Sequence, residues 1–218
     1  MTKLKAILFD LDGTLRDTQE VVYGAVLHAL KVHGAGELTK EDIGPYMHHH
    51  TAVYQKFLSH IDLEVFEKTY RGKLRERWMD VVLFPHAMEA VQALHAEGYR
   101  MAIVTSATQD GTEAFLHERG LAAFFDSVSG VRPGIAPKPA PDLVLDALNK
   151  LGVLPGDAIM VGDMIADIES AKAAGVRCLG VTYGFNGKDE LVKAGAIHIV
   201  DSLTELQPYL ERLKNDQK

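Results

Sequence analysis

The chain has 218 residues, of which 47% are apolar and 24% are charged, the ordinary mixture of a globular protein that is long enough to bury a full core. Acidic residues outnumber basic ones by 30 to 23, which argues against nucleic acid as a partner, and the single Cys178 excludes an internal disulfide or a thiolate metal cluster. No apolar run approaches the ~20 residues of a membrane helix, and the N-terminal residues lack the features of a signal peptide, so we expect a cytoplasmic protein that does not engage membranes.

Continuous apolar runs predict the strands of a sheet. In chain order they cover residues 4–9, 101–104, 158–161, 176–181 and 197–200, with a weaker run at 125–128. Runs without alternation are typical of strands that are buried on both faces. Helical periodicity lies between them, most clearly over residues 143–151 and 165–171. This alternation predicts an α/β fold, a parallel sheet with helices on both faces.

One segment breaks the alternation of strand and helix. Residues 16–82 contain about three helical patterns, and we expect no strand among them. The first pattern includes Val22, Val26 and Leu30, and the last includes Phe66 and Leu74. We therefore expect a core domain formed by residues 1–15 and 83–218, with an inserted helical domain at 16–82.

Polar residues follow the predicted strands at the edge where ligands bind in open parallel sheets. They are Asp10 and Asp12 after the first strand, Thr105 and Ser106 after the second, Lys138 before the helix at 143–151, and Asp163 after the strand at 158–161. Carboxylates that converge at one edge repel one another unless a cation lies among them. Oxygen ligands without cysteine favour a hard metal, and Mg²⁺ is the default. A lysine and a hydroxyl at the same edge suit a phosphoryl group, so these residues predict metal-assisted phosphoryl transfer.

Four motifs in the right order resemble those of the haloacid dehalogenase superfamily. They are Asp10-Leu-Asp12-Gly13-Thr14-Leu15, the strand end at Thr105, Lys138-Pro-Ala-Pro-Asp142, and Val161-Gly-Asp163-Met-Ile-Ala-Asp167. The helical insertion after the first motif is similar to the small cap of the phosphoglycolate phosphatase-like branch. The resemblance covers nearly the whole chain and implies a Rossmann-like core with an inserted α-helical cap.

The resemblance also implies a role for each motif residue. Asp10 would be the nucleophile that forms an aspartyl-phosphate, and Asp12 the general acid and then the general base. Mg²⁺ would bind the Asp10 carboxylate, the Asp12 backbone carbonyl and the Asp163 carboxylate. Thr105, Ser106 and Lys138 would hold the phosphoryl oxygens, with backbone N–H groups assisting. Asp167 would orient Lys138 or metal-bound water, and the substrate would be a small phosphorylated metabolite.

Several functions remain open within this resemblance. Asp12 argues against dehalogenases and phosphonate-cleaving relatives, which lack this acid and base. Sugar phosphomutases of the β-phosphoglucomutase type keep both aspartates but usually carry Glu-Asp where this chain has Gly162-Asp163. We therefore expect a Mg²⁺-dependent phosphatase for a small monoester of the phosphoglycolate class. A mutase and a pyrophosphatase are the alternatives, and a non-catalytic phosphate-binding protein is disfavoured by the intact Asp10 and Asp12. The sequence predicts no particular oligomeric state.

Two further features depart from the resemblance or stand outside it. Arg16 occupies a position that is usually aliphatic, and it either faces solvent, the favoured interpretation, or adds a positive charge near the substrate entrance. The run His48-His49-His50 is interpreted as a solvated surface, because consecutive helical residues point in different directions and cannot grip one ion. One of these histidines could still contact the substrate.

Overall fold

A six-stranded parallel sheet forms the core of the protein in the computed structural model, which describes residues 4–47 and 50–215. The strand order is β5-β4-β1-β6-β7-β8, with β2 and β3 forming a separate two-stranded sheet. The strands are β1 Ala6–Phe9, β2 Arg16–Asp17, β3 Val82–Leu83, β4 Arg100–Thr108, β5 Ser127–Val131, β6 Ala158–Gly162, β7 Arg177–Val181 and β8 His198–Val200. All six runs predicted as strands lie in or overlap the larger sheet.

Helices pack against this sheet and fill the insertion. They are α1 Gln19–Val32, α2 Lys40–Ile43, α3 His50–Phe57, α4 Leu63–Glu76, α5 Ala87–Ala96, α6 Gln109–Glu118, α7 Asp142–Leu151, α8 Ile165–Ala173, α9 Lys188–Ala194 and α10 Leu206–Asn215. Leu8 and Met160 of the strands share one core cluster with Leu148 of α7 and Ile168 of α8. Neighbouring strand residues point to the opposite face and are equally buried, as Ile7 shows. The predicted α/β fold with a doubly covered parallel sheet is confirmed.

The chain divides into two compact units. Unit 1 comprises residues 1–16 and 83–218, and unit 2 comprises residues 17–82. Unit 2 has its own apolar core, in which Leu30 of α1, Val53 of α3 and Phe66 of α4 are fully buried, and Tyr54 packs on Phe66 with ring centroids 5.6 Å apart. The short strands β2 and β3 lie at the ends of the segment for which no strand is predicted, so that part of the expectation is wrong.

The register of the central strands determines which polar residues meet. Phe9 at the end of β1 lies opposite Ile103 of β4 and Val161 of β6. The residues that follow these three positions therefore emerge together at one edge of the sheet, and the Asp10 N–H donates to the Val161 carbonyl at 2.9 Å. Strand β4 continues to Thr108, with a shift of register between Val104 and Thr108, so Thr105 and Ser106 lie within an irregular strand end.

Among the described residues, no helix is both long enough and apolar enough to cross a membrane.

Candidate active site

A lysine joins two carboxylates at this edge of the sheet. The Lys138 ammonium donates to Asp10 Oδ1 at 2.5 Å and also to Asp167 Oδ1. It makes a third hydrogen bond to the Val104 carbonyl at 3.2 Å. Lys138, Asp10 and Asp167 are all buried, and a buried lysine needs such partners for each of its donors. These contacts bring three elements together, since Asp10 follows β1, Lys138 precedes α7, and Asp167 lies in the first turn of α8.

Asp163 is held by two loops that the sequence motifs only partly indicate. Its Oδ1 accepts from the Thr14 hydroxyl at 3.1 Å, and its Oδ2 accepts from the Phe185 N–H at 2.8 Å. Asn186 adds a backbone donor to the Asp163 carbonyl at 3.2 Å and accepts from the Ile165 N–H at 3.0 Å. We call residues 183–187, between β7 and α9, the β7–α9 loop. It supports Asp163 with backbone N–H donors, and these cannot be recognised in the sequence because nearly every residue type has one.

Two glycines allow backbone to pass directly beside Asp163. A Cβ at Gly13 would lie 2.3 Å from Asp163 Oδ2, and a Cβ at Gly184 would lie 2.3 Å from Asp163 Cβ. Gly13 also has φ +85°, a left-handed conformation that favours glycine. The chain therefore turns tightly at Gly13, which lies in the first motif, whereas no motif in the sequence includes Gly184. A glycine between the aromatic residues Tyr183 and Phe185 was the available signal.

Burial and like charges raise the acidic pKa values in this site. Burial raises the pKa of Asp10 to about 7, and Asp167 adds to the rise while the Lys138 ammonium opposes it. Burial likewise raises the pKa of Asp163 well above its usual range, helped by the charges of Asp10 and Asp167. Burial lowers the pKa of Lys138, but the two carboxylates outweigh burial and raise it overall. The lysine is therefore a permanent cation between two carboxylates.

The side chain of Asp12 is bound by Arg16. Arg16 Nε donates to Asp12 Oδ1 at 2.7 Å, and Arg16 Nη2 donates to Asp12 Oδ2 at 3.0 Å. The Arg16 side chain is fully buried, whereas 27% of the Asp12 side chain is exposed. The favoured interpretation of Arg16 as a solvent-facing residue is therefore wrong, because the sequence alone does not reveal its buried counter-ion and neighbours.

The two predicted hydroxyl ligands differ in exposure. Thr105 is buried and its Oγ1 accepts from the Ala107 N–H at 3.1 Å, which fixes the hydroxyl at the end of β4. Ser106 is exposed. His48 and His49 lie outside the described residues, and only the backbone of His50 is described, so the interpretation of this run stays a prediction.

The donor set fits a hard divalent cation. Carboxylate oxygens of Asp10, Asp163 and Asp167 all lie within 4.8 Å of one another, and all three residues are buried. The Lys138 ammonium donates to two of these carboxylates, Asp10 and Asp167, so one lysine charge stands against three carboxylate charges when all are ionised. Oxygen-only donors with an excess negative charge match Mg²⁺ better than a transition metal. The group of carboxylates that could hold the ion contains Asp167 in addition to Asp10 and Asp163, which the sequence predicts as ligands.

Comparisons with known proteins agree with this geometry. The family described as "Haloacid dehalogenase-like hydrolase" matches residues 7–181. The chain belongs to this family. Over 208 residues it is 33% identical to "Pyrophosphatase PpaX" of Bacillus velezensis, an alignment that covers 94% of this chain and 95% of the relative. It is 29% identical to "Phosphoglycolate phosphatase" of Salmonella typhimurium, with 99% of each chain covered.

The fold comparison finds a similar structure. A crystal structure described as a predicted phosphatase from Clostridium acetobutylicum superposes with a TM-score of 0.84 at 25% identity and covers 97% of this chain and 100% of its own. The resemblance inferred from the four motifs is therefore confirmed. Family membership also confirms that the protein is an enzyme of the hydrolase class, and the names of its relatives support the expected phosphatase class.

Proposed function

We propose that this protein is a Mg²⁺-dependent phosphatase that hydrolyses a small phosphate monoester through an aspartyl-phosphate on Asp10. The observation that carries the proposal is the buried bridge from Lys138 to Asp10 and Asp167, with Asp163 within metal-binding reach. A cation beside a carboxylate at the end of β1 suits an anionic substrate that approaches an anionic nucleophile. A merely structural cluster would have no use for the excess negative charge.

The proposed first step is attack of an Asp10 oxygen on phosphorus. The bond from Asp10 to phosphorus forms while the bond from phosphorus to the leaving oxygen breaks, and Asp12 gives a proton to that oxygen. Lys138, Thr105 and Ser106 bind the other phosphoryl oxygens, so they counter the charge that develops on them. Mg²⁺, held by Asp10, the Asp12 carbonyl and Asp163, would reduce the repulsion between nucleophile and substrate.

In the second step Asp12 takes a proton from water as the water oxygen attacks phosphorus. The bond between phosphorus and the Asp10 oxygen then breaks, which releases inorganic phosphate and restores the carboxylate. Asp167 keeps the Lys138 ammonium in place through both steps, because it shares the lysine with Asp10. The products are one alcohol and one phosphate for each water consumed.

Substrate class is proposed from the branch that the sequence resembles. A phosphoglycolate-like monoester is the first candidate, supported by the relative in Salmonella typhimurium. Pyrophosphate is the second, because the relative at 33% identity is named a pyrophosphatase. A sugar phosphomutase, in which an alcohol replaces water in the second step, is disfavoured by Gly162-Asp163 in place of Glu-Asp. The cytoplasmic location stays a prediction.

Unit 2 is proposed to be the helical cap that governs substrate choice. Its helices α1–α4 have an apolar core of their own, whereas Asp10 belongs to unit 1. The predicted core boundary at residue 15 differs from that of unit 1 by Arg16. Substitutions on unit 2 are therefore expected to change which ester is hydrolysed, measured as ratios of kcat/KM, more than the rate on the best ester.

Phosphate release from a panel of compounds tests the proposed function. The panel contains phosphoglycolate, pyrophosphate, hexose phosphates, nucleoside monophosphates and two aryl phosphates, each with Mg²⁺ and with EDTA. We expect one class to be turned over only with Mg²⁺, and Asp10→Asn to lose at least about 10³-fold in kcat, because removal of a nucleophile leaves only residual catalysis. Turnover that survives in Asp10→Asn would contradict the aspartyl-phosphate. A bisphosphate product without free phosphate would indicate the mutase.

A further inference from the structure

Arg16 and Asp12 meet in a geometry that orients a carboxylate. Both Asp12 oxygens accept from the guanidinium, at 2.7 Å from Nε and 3.0 Å from Nη2. This planar two-point contact fixes the direction of a carboxylate as well as its position. An aliphatic side chain, which is usual at position 16 in the proteins that this chain resembles, could not make it.

The surroundings of Arg16 keep the guanidinium in place. Its side chain is fully buried, and its Cζ lies 4.5 Å from the centre of the Phe115 ring in α6, a distance at which a cation is attracted to an aromatic face. The Arg16 backbone is held by hydrogen bonds as well. Its N–H donates to the Leu11 carbonyl at 3.0 Å, and its carbonyl accepts from the Gly13 N–H at 2.9 Å. A guanidinium so enclosed moves little.

Burial of a cation also makes this contact costly to break. A buried charge without a counter-ion is strongly unfavourable, and the two-point contact makes Asp12 the carboxylate that offsets Arg16. The Asp12 side chain is partly exposed, so part of its carboxylate stays accessible while Arg16 binds it. The pair thus combines a fully buried cation with a partly accessible carboxylate.

We propose that Arg16 is a positioning residue that sets the orientation of Asp12 toward the leaving oxygen and the attacking water. The inference rests on the proposed function, in which Asp12 transfers the proton in both steps. Arg16 acts through Asp12 rather than on the phosphoryl group, since its Nε and Nη2 donors are turned to the Asp12 carboxylate. Its removal therefore lowers kcat and leaves KM nearly unchanged.

The leaving group separates this role from a purely structural one. Phenyl phosphate and 4-nitrophenyl phosphate have nearly the same shape, but phenolate is the stronger base and needs the proton from Asp12 more. Loss of Arg16 should then slow phenyl phosphate more than 4-nitrophenyl phosphate. A general loosening of the fold would slow both esters alike.

The variants are Arg16→Leu, Arg16→Lys and, as the matched control, Arg119→Leu. Arg119 places its guanidinium 5.6 Å from the centre of the same Phe115 ring and has no place in the proposed reaction. We expect Arg16→Leu to lower kcat for phenyl phosphate by about 10- to 100-fold, the usual effect of a misplaced catalytic group, with KM within about twofold. Arg16→Lys should recover part of kcat, because it keeps the charge without the planar fork. Arg119→Leu should retain the wild-type kinetics.

A double-variant comparison decides whether Arg16 acts through Asp12. In an Asp12→Asn background, Arg16→Leu should change kcat by less than about twofold, because the group that it positions is already lost. An equal fall in both backgrounds, an unchanged kcat in Arg16→Leu, or an equal loss for both esters would overturn the inference. If Arg16→Leu does not fold by circular dichroism, Arg16→Lys takes its place in each comparison. If the wild type hydrolyses neither aryl ester, kcat on the best ester of the panel is compared among Arg16→Leu, Arg119→Leu and the Asp12→Asn background, and an unchanged kcat in Arg16→Leu overturns the inference. If the wild type hydrolyses no compound of the panel, the proposed function has failed instead.

Discussion

The surroundings of Asp163 and Asp146 shift the pKa values of these two carboxyl groups in opposite directions. Burial and the charge of Asp10 raise the pKa of Asp163 well above its usual range. Burial also raises the pKa of Asp146, but hydrogen bonds from Arg132 and Ser129 outweigh it and lower the pKa overall. A carboxyl group is destabilising in its ionised form when folding raises its pKa and stabilising when folding lowers it. The same substitution should therefore have opposite effects at the two positions.

Replacing Asp163 by asparagine is expected to stabilise the metal-free protein at neutral pH. Because folding raises the pKa of Asp163, the carboxyl group favours the folded state below its unfolded pKa of about 4 and loses this contribution as pH rises through its folded value. The gain in thermal midpoint of Asp163→Asn, measured in EDTA, should therefore grow from pH 4 to pH 8. Such gains are common where a functional site is under electrostatic strain.

Asp146→Asn is the matched control for that measurement. Folding lowers the pKa of Asp146, so its contribution is present above about pH 4 and is lost as pH falls through the folded value. We expect this variant to have a lower thermal midpoint than the wild type at pH 7, with the difference shrinking in acid. A fall in midpoint for both variants at pH 7 would contradict the assignment of Asp163 as a strained carboxylate.

At the scale of elements, the β7–α9 loop supports Asp163 from outside the four motifs. Gly184 passes within van der Waals distance of Asp163, and the Phe185 N–H donates to it. We expect Gly184→Ala to raise the Mg²⁺ concentration needed for half-maximal activity by at least about tenfold, because the new Cβ must displace Asp163, and support of a ligand is commonly worth 10- to 100-fold. Titration of activity with Mg²⁺ measures this.

Gly24→Ala is the control for the glycine substitution. Gly24 lies within α1, and a Cβ there meets nothing within 4 Å. Alanine in a helix interior is more stable than glycine by about 1 kcal/mol, so this variant should gain in thermal midpoint and keep the wild-type Mg²⁺ dependence. Equal Mg²⁺ dependence in Gly184→Ala and Gly24→Ala would show that the β7–α9 loop does not position the metal ligand.

The elements that the sequence predicts are those in which apolar residues repeat. The buried strands and α1, α7 and α8 follow directly from such patterns. The predicted run ends at residue 104 because Thr105, Ser106 and Thr108 are polar, but their backbone stays extended and β4 continues to Thr108. Strands β2 and β3 have two residues each, too few for any periodicity to be visible.

The sequence motifs predict one part of the candidate site and leave another part unpredicted. The meeting of Asp10 and Asp163 follows from their positions after neighbouring strands, and that of Lys138 from its place before α7 at the same edge of the sheet. The burial of Arg16 does not, because it depends on Phe115, which lies about a hundred positions away in the chain. The hydrogen bond from Phe185 to Asp163 uses a backbone N–H, and a backbone donor is present at nearly every residue.

At the scale of the whole molecule, the two units have separate cores, and the residues of the candidate active site lie in unit 1. Among the described residues, the three carboxylates that together fit a metal lie in unit 1, as do Lys138 and Arg16. Unit 2 is held by its own apolar contacts, such as Tyr54 on Phe66. A ligand that binds only the folded form stabilises the part of the structure that contains its site. Binding of Mg²⁺ alone should therefore stabilise unit 1 without changing unit 2.

Hydrogen exchange read by mass spectrometry can test this division in the intact protein. Adding Mg²⁺ is expected to slow amide exchange at residues 10–16, 162–167 and 183–187, because the strands and loops there hold the carboxylates that would bind the ion. Peptides from α1 and α4 of unit 2 should exchange at the same rate with and without Mg²⁺. Asp163→Asn is the control, and its exchange should not respond to Mg²⁺ in either unit. Equal protection of both units in the wild type would contradict a metal site confined to unit 1, since a local ligand would then be stabilising the whole chain as one cooperative body.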